Sequence, residues 1–313
     1  MAFFLQNVVN SLQLGSFYAL IALGYSMVYG VLMLFNFAHG DIFMVGGYLG
    51  FFAATALVAF SALGFIVLPN WLVLVLTILI AMLLTSFLGM LVERIGYRPL
   101  RGAPRASAAI TGLMIGIILE TGNLAILGAS RQSFPPLIES QTFTISLPSG
   151  DVSLTNKKIL IVVLSLVIMF ALHLFVRRTK WGMAMRAMAY DYVVVPLMGV
   201  PINTIARLTF GLGSAPALAA VAGIFYGIAY PILDPYMGIL FGWKAFVAAI
   251  LGGRGSILGA VLAGFLLGFI EIFVAAIFPS TMRNLIAYSI ILVILTFRPH
   301  GFFGEPYSAQ LRL

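Results

Sequence analysis

The stretch IFMVGGYLGFFAATALVAFSALGFIVLPNWLVLVLTILIAMLLTSFLGMLV, residues 42–92, decides the fold, because none of its 51 residues is charged. A helix needs about 20 apolar residues to cross the hydrocarbon core of a bilayer, so this run is long enough for two crossings. Leu68-Pro69-Asn70 is a turn signal and marks the place where the chain reverses. The pattern therefore predicts one span near 41–63 and another near 70–92.

The rest of the chain has the same character. Of its 313 residues, 62% are hydrophobic and 8% are charged, whereas a soluble domain carries about 25% charged residues. The mean hydropathy is +1.12. These values exclude a soluble monomer and predict an all-α, polytopic integral membrane protein with about 8–9 transmembrane helices. We expect residues 1–313 to form a single transmembrane domain, with further spans near 8–34, 106–128, 159–176, 208–233, 238–253, 255–278 and 284–297.

Two basic loops predict the orientation. The first holds Arg94, Arg98, Arg101 and Arg105, and the second holds Arg177, Arg178, Lys180 and Arg186. An even number of predicted spans separates them, so both can be cytoplasmic under the positive-inside rule. The polar segment 129–157, which contains the β-prone QTFTISL, is then an extracytoplasmic loop, and the C-terminus is cytoplasmic. The N-terminus lies outside if there are nine spans. We attribute the net charge of +8 to Lys and Arg residues beside the spans, and we expect no nucleic-acid partner.

Two glycine-rich breaks interrupt the helical pattern. The first is FNFAHGD, residues 35–41, followed by Gly46 and Gly47, and the second is LGGRGSILG, residues 251–259. Non-helical backbone at membrane depth persists only where it lines a cavity or is buried in protein, and transporters use such breaks to bind solutes. The alternative is a tight turn at the cytoplasmic surface, which is equally well supported for the second break because Arg254 suits that surface.

Small residues four apart recur in the spans, at Gly112/Gly116, Gly223/Gly227 and Gly264/Gly268. This spacing lets helices approach closely in lipid. It favours packing within the chain, with a subunit interface as the alternative.

Polar side chains inside the spans are candidates for function. Tyr18, Tyr25 and Tyr29 share one face of the first span, which is typical of either a cavity wall or a buried helix contact. Glu120 and Glu271 lie within apolar runs, where a charge costs about 2.5–3.5 kcal/mol on insertion scales. We interpret Glu120 as part of a solute pathway or an ion pair. For Glu271, a carboxylate near a membrane edge is an equally good interpretation.

The chain has no motif for chemistry of its own. It contains no cysteine, no P-loop, no zinc-binding HExxH and no EF-hand, and its three histidines are scattered. We therefore expect no enzyme activity, no cofactor and no metal, and any energy for uphill transport has to come from a partner.

The segment KWGMAMRAMAYDYVVVPLMGVPIN, residues 180–203, follows the second basic loop and has a weak helical pattern before Pro196. Gly199 and Pro201 then end that pattern. A short amphipathic helix here suits docking to a soluble partner, with headgroup binding as the alternative.

Four motifs together carry a family resemblance. LGSFYALIALGYSMVYG (14–30), NFAHGD (36–41), ERIGYRPLR (93–101) and LGGRGS (251–256) resemble, in order and spacing, the LivH-type permease subunit of branched-chain amino acid ABC importers. The resemblance covers nearly the whole chain. Similar permeases serve urea, amides or other small organic solutes, so the motifs identify the family and leave the solute open.

The resemblance implies a complex in a bacterial cytoplasmic (inner) membrane. Its other members are expected to be two ATP-binding cassette ATPases, a second homologous permease of LivM type, and a periplasmic or extracellular solute-binding protein, with membrane lipid around the spans. The segment 178–203 resembles the cytoplasmic coupling loop of the family. Its candidate residues are Arg186, Ala187, Ala189, Asp191, Gly199 and Val200. Tyr190 and the stretch 193–196, Val-Val-Val-Pro, depart from the family pattern.

The leading hypothesis is thus a permease subunit with two further groups of site residues. Asn36, His39, Asp41, Gly46, Gly47 and Glu120 are expected to shape the translocation pathway, and Gly252, Gly253, Gly255 and Ser256 to form the helix-break loop. The alternatives are an ion-coupled secondary transporter with Glu120 and Glu271 as proton sites, an intramembrane enzyme, and a passive channel for a small neutral solute.

Overall fold

A computed structural model describes residues 1–64, 68–148, 150–191, 194–211, 215–253 and 255–304. Its helices are α1 (Ala2–Leu32), α2 (His39–Ala62), α3 (Asn70–Val92), α4 (Arg105–Leu127), α5 (Asn156–Arg178), α6 (Lys180–Tyr190), α7 (Ile202–Gly211), α8 (Ala215–Ala229), α9 (Met237–Gly252), α10 (Ile257–Ile277) and α11 (Arg283–Phe297). Shorter turns of helix cover Glu93–Tyr97, Arg98–Leu100, Val195–Met198 and Ser280–Met282. Short strands are β1 (Gln132–Ser133), β2 (Thr142–Leu147), β3 (Gly150–Thr155) and β4 (Ile232–Leu233).

The helices confirm the predicted all-α, polytopic membrane fold. Within the described ranges, six helices are long and apolar enough to cross a membrane: Ala2–Leu32, His39–Ala62, Asn70–Leu100, Ala106–Leu127, Asn156–Arg178 and Ile257–Ile277. Shorter apolar helices cover Ala217–Ala229, Met237–Gly252 and Arg283–Phe297. Each predicted span thus coincides with an apolar helix. α1 begins earlier than predicted, and the span predicted over 208–233 falls on α7 and α8, with 212–214 outside the described residues.

The polar segment 129–157 carries the small β-structures. Its β-prone stretch forms an antiparallel hairpin of β2 and β3. β1 pairs with β4, which lies between α8 and α9, and Arg131 forms a 2.9 Å ion pair with Asp234 in the same place. The segment 129–157 and the loop after α8 therefore lie at one end of the helix bundle.

α1 occupies the centre of the molecule and is buried from Gln13 to Val28. It packs along α10, with α8, α9 and α5 on its other sides. Glycines make the α1–α10 contact possible, because a Cβ atom on Gly268 would lie 2.6 Å from the Cα atom of Gly15. All three small-residue pairs face other parts of this chain: Gly112 faces Tyr97, Gly116 faces Asp41, Gly223 faces Gly47, Gly227 faces Phe134, Gly264 faces Ala19 and Gly268 faces Gly15. Packing within the chain accounts for them.

Candidate functional site

A cavity of about 120 Å³ lies where the first turn of α2 meets α4 and α9. Its wall is mostly apolar, but it contains two carboxylates and no basic side chain. The lining residues are Tyr25, Phe37, Gly40, Asp41, Leu113, Ile117, Glu120, Gly238, Ile239, Gly242, Trp243 and Phe246. The cavity thus combines two carboxylates with an apolar wall, and it opens to the protein surface beside Leu113, Ile117, Ile239 and Trp243, which are exposed.

The break between α1 and α2 brings the backbone to this cavity. α1 ends at Leu32 and is followed by Met33, whose φ of 53° is left-handed and whose N–H donates to the Tyr29 carbonyl. The chain then turns back, so that His39 begins α2 beside the middle of α1, and the Tyr97 hydroxyl fixes the break by donating to Asn36 Oδ1 at 2.9 Å. The first predicted break therefore lies within the bundle rather than in a surface loop.

Glycines allow α2 and α9 to touch at the cavity. A Cβ atom on Gly40 would lie 2.6 Å from the Cα of Gly242, so any other residue there would push the two helices apart. Because of this close approach, the N-terminal turns of α2 and α9 both lie at the cavity, and each carries the positive end of a helix dipole.

Asp41 is the most buried carboxylate of the cavity. It lies in the first turn of α2, is 8% exposed, and its Oδ1 atom has no hydrogen-bond partner among the described residues. Gly116 of α4 and Gly238 of α9 leave room for the carboxylate, since a Cβ on Gly238 would lie 2.7 Å from Oδ1. The helix dipoles favour the charge, but they leave Oδ1 free to accept a donor.

Glu120 lines the same cavity from the middle of α4 and is half-buried. Within the part of the chain that the structure describes, no ion pair or hydrogen bond of its side chain is present. The structure thus places it beside Asp41 in the cavity.

The other predicted pathway residues lie behind the cavity wall. His39 is fully buried and donates its Nε2–H to the Ile21 carbonyl oxygen at 3.0 Å, which ties α2 to α1. Asn36 is held by Tyr97. Gly46 and Gly47 face α8 and the start of α9, where Cβ atoms would lie 2.7 Å from Ala220 Cα and 2.8 Å from Met237 Cε. These four residues shape the packing around the cavity and do not line it.

Of the three tyrosines on one face of α1, one lines the cavity and two lie in contacts within the chain. Tyr25 lines the cavity, Tyr18 is buried in a helix contact, and Tyr29 stacks on Phe35 with ring centroids 4.3 Å apart.

The segment 178–203 forms α6, a turn over Val195–Met198 and the start of α7. Arg186 donates to the Val176 carbonyl and fixes α6 to the end of α5, and Asp191 Oδ1 accepts the Val194 N–H at 3.0 Å. Ala187, Ala189 and Val200 are half-buried, and Gly199 has a left-handed φ of 80°. Tyr190, which differs from the family pattern, is the last residue of α6. Residues 192–193 lie outside the described residues.

An apolar surface stands out on this segment. Leu197 is 84% exposed and Met198 78%, and Tyr190 and Val194 are also exposed. Because this segment is expected to lie outside the spans, these residues form a candidate contact surface.

The second break is a tight turn packed inside the protein. α9 ends at Gly252, Gly253 and Gly255 have positive φ angles, and Ser256 caps α10 by accepting the Gly259 N–H at 3.1 Å. The N–H groups of Phe302 and Phe303 pair with the carbonyls of Leu251 and Gly252. Arg254 lies outside the described residues. This arrangement favours the turn over a cavity wall.

Sequence reasoning missed a buried charge cluster around Glu271. The Glu271 side chain is 2% exposed and ion-paired, which favours the ion-pair interpretation over that of a carboxylate near a membrane edge. The Tyr18 hydroxyl donates to Oε2 at 2.6 Å, Lys244 Nζ donates to Oε1 at 2.7 Å, and Arg283 Nε lies 3.1 Å from Oε1. The available signal was that Lys244 and Glu271 are opposite charges in adjacent apolar spans, where charged side chains commonly pair with one another.

A second missed contact joins the first basic loop to the segment 178–203. Buried Glu93 forms an ion pair with Arg101, and Arg101 also donates to Asn203 Oδ1 at 2.5 Å. Asn203 belongs to the segment 178–203, and Glu93 is four residues from Tyr97, which holds the break before α2. Glu93 and Tyr97 lie in the same short helix, so these contacts link that segment to the break before α2.

Known proteins are similar to this chain over nearly its whole length. The family model for the permease component of the branched-chain amino acid transport system matches residues 7–295. The high-affinity branched-chain amino acid transport system permease protein BraD of Pseudomonas aeruginosa is 39% identical over 97% of this chain and 96% of its own. The corresponding protein LivH of Escherichia coli K12 is 34% identical over the same shares. A probable LivH of Methanocaldococcus jannaschii is 26% identical over 94% of this chain and 90% of its own. No solved structure matches.

Proposed function

The chain belongs to the family of permease components of branched-chain amino acid transport systems, and from that premise we propose that it forms part of the translocation pathway for branched-chain amino acids in an ATP-driven importer. The observation that carries this proposal is similarity over nearly the whole chain to permeases named for that transport. The cavity with a mostly apolar wall supports it.

The cavity is the centre of the proposed pathway. Asp41 and Glu120 line it, and Asn36, His39, Gly46 and Gly47 set the positions of the helices around it. In this proposal, the helix-break loop holds the end of α9 next to the start of α10. Its residues are Gly252, Gly253, Gly255 and Ser256. A permease changes access by moving such packed helices relative to one another.

The segment 178–203 is the proposed contact with the ATPases. It lies at the end of the bundle opposite the hairpin, and Tyr190, Val194, Leu197 and Met198 supply an exposed apolar surface for a soluble partner. The contacts through Arg101, Glu93 and Tyr97 connect this surface with the break before α2. ATPase movement would reach the cavity by this route.

The proposed complex contains two ATPases, a second homologous permease and an extracytoplasmic solute-binding protein in the bacterial cytoplasmic membrane. The chain itself carries no ATP-binding motif, which fits hydrolysis by partners.

Reconstitution of the whole complex in proteoliposomes tests the function. We expect uptake of radiolabelled leucine that requires ATP, the binding protein and this chain. Uptake driven by a proton gradient without ATP would contradict the proposal. It would favour a secondary transporter. The unpaired carboxylates of Asp41 and Glu120 are compatible with that alternative, because they could carry protons.

Gly199 tests the ATPase contact. A Cβ atom there meets nothing within 4 Å, but its φ of 80° disfavours other residues. We expect Gly199→Asp to abolish ATP-driven uptake while membrane insertion is retained, because it adds a charge to an apolar contact surface. Gly199→Asn is the matched control, since asparagine tolerates the same backbone without a charge. Unchanged uptake in Gly199→Asp would count against this contact.

A further inference from the structure

The charges that line the cavity do not balance. Asp41 and Glu120 both face it, and none of its lining residues is Lys, Arg or His. A charge at membrane depth is costly unless it is paired or solvated. Elsewhere in the described bundle the chain provides such pairing, since Glu271 contacts Lys244 and Arg283, and Glu93 contacts Arg101. Unlike those paired carboxylates, Asp41 and Glu120 are thus free to accept a cationic ligand.

The geometry of Asp41 directs that charge to one position. Its carboxylate is 92% buried by the surrounding helices, being 8% exposed, and Oδ1 has no hydrogen-bond partner among the described residues. Oδ2 lies against Gly116 on α4, one helical turn before Glu120 on the same helix. A donor that sits between the two acidic residues can contact both.

The remaining wall matches an apolar group. Leu113 and Ile117 of α4 lie on one side, and Ile239, Trp243 and Phe246 of α9 lie on the other. The volume of about 120 Å³ is close to the apolar cavities of about 150 Å³ that hold a benzene-sized molecule. The aromatic rings also attract a cationic group at their faces.

We propose that this cavity is a solute-binding site in which Asp41 and Glu120 bind the primary ammonium group of an amino acid while the α4 and α9 walls receive its branched aliphatic side chain. This inference rests on the proposed function and adds the residues and the group that they recognise. The permease itself would then select for an amine in addition to any selection by a binding protein.

Equilibrium binding to the purified complex, without the solute-binding protein, tests the site. The probe is radiolabelled leucine, and the competitors are 3-methylbutylamine, which keeps the amine, and 4-methylpentanoate, which keeps only the carboxylate. We expect saturable leucine binding that 3-methylbutylamine displaces and 4-methylpentanoate does not. These competition measurements use the unmodified complex, so they do not depend on the folding of a variant.

Variants locate the binding. Asp41→Asn and Glu120→Gln are each expected to weaken leucine binding by at least about tenfold, as expected for the loss of a hydrogen bond to a charged group. Glu139→Gln is the matched control, because Glu139 is an exposed acidic residue of the segment 129–157, away from the cavity. Its affinity should equal that of the unmodified complex.

Several results would overturn the inference. They are absence of saturable leucine binding, displacement by 4-methylpentanoate as effective as by the amine, and equal affinity in the Asp41 and Glu120 variants and the control. Displacement of leucine by millimolar sodium or potassium chloride, but not by choline chloride, would assign the site to an inorganic cation instead. ATP-driven leucine uptake by the unmodified complex is measured in parallel. If uptake is present and binding fails, only this inference is lost, and if uptake is absent the proposed function fails as well.

Discussion

The carboxylate of Glu271 is held by three side chains from three other segments of the chain. Tyr18 belongs to α1, Lys244 to α9, and Arg283 begins α11. Removal of one partner from a buried pair costs about 3–5 kcal/mol, because the remaining charge has no compensation. The cluster therefore acts as a tie between the central helix and the end of the bundle.

Substitution of Glu271 should be the most damaging change in this cluster. We expect Glu271→Gln to lower the free energy of unfolding by about 3–5 kcal/mol, since it leaves two cations without an anion. Lys244→Met should cost less, because Arg283 still contacts Glu271, and the double variant should be more stable than Glu271→Gln alone. Thermal unfolding of the purified chain in detergent measures all three.

The exposed Arg131–Asp234 pair supplies the control for this prediction. Arg131 is 68% exposed, so Arg131→Gln should change stability by no more than about 1 kcal/mol. If Glu271→Gln is as stable as Arg131→Gln, the cluster does not hold the bundle together.

At this scale the sequence identified charges but not their partners. Glu120 and Glu271 were equally anomalous in their apolar runs, yet one lines a cavity and the other is paired. The difference arises from tertiary contacts, since Lys244 is 27 residues away from Glu271 and Tyr18 is 253 residues away. Hydropathy along one span contains no information on what faces it.

The contact between α1 and α10 depends on helix surfaces without side chains. A Cβ atom on Gly268 would lie 2.6 Å from the Gly15 Cα and 2.9 Å from the Ser11 carbonyl oxygen. These neighbours are backbone atoms of a buried helix and have little room to move. Close van der Waals contact of this kind is the main source of helix association in lipid.

Enlarging Gly268 should separate the two helices. We expect Gly268→Ala to destabilise the protein by about 1–3 kcal/mol through overpacking. Gly122→Ala on α4 is the matched control, because nothing lies within 4 Å of its added Cβ, and it should stay within about 1 kcal/mol of the unmodified protein. Size-exclusion profiles after heating report both, and equal profiles would show that the glycine contact is not limiting.

Elements were predicted well where one local signal dominated. The spans near 41–63 and 70–92 agree with α2 and α3, and the β-prone QTFTISL lies in the hairpin. The break at 35–41 was also visible, because Asn36, Gly40 and Asp41 interrupt the apolar pattern. The role of this break in packing was not visible in the sequence, since the approach of α9 to Gly40 is a long-range contact between two glycine-containing surfaces.

Over the whole molecule, the polar contacts sort the loops to the two ends of the bundle. Near the start of α1, Gln6 Oε1 accepts the Ser153 N–H at 2.8 Å, and Asn10 Oδ1 accepts from Lys158 at 2.7 Å. The N-terminus, the hairpin and the loop after α8 thus share one end. The basic loops and the segment 178–203 share the other end, as Arg101 and Asn203 show.

This arrangement agrees with the predicted orientation and gives a test that suits a chain without cysteine. A single cysteine at exposed Glu139, in the segment 129–157, should react with a membrane-impermeant maleimide in intact spheroplasts, because the positive-inside rule predicts that this end faces outward. A single cysteine at Leu197 should react only after permeabilisation, because the positive-inside rule keeps the basic end in the cytoplasm. The unmodified chain is the control and should stay unlabelled. Labelling of Leu197→Cys in intact spheroplasts would place 178–203 outside, where no cytoplasmic ATPase could reach it, and the coupling proposal would fail with the orientation.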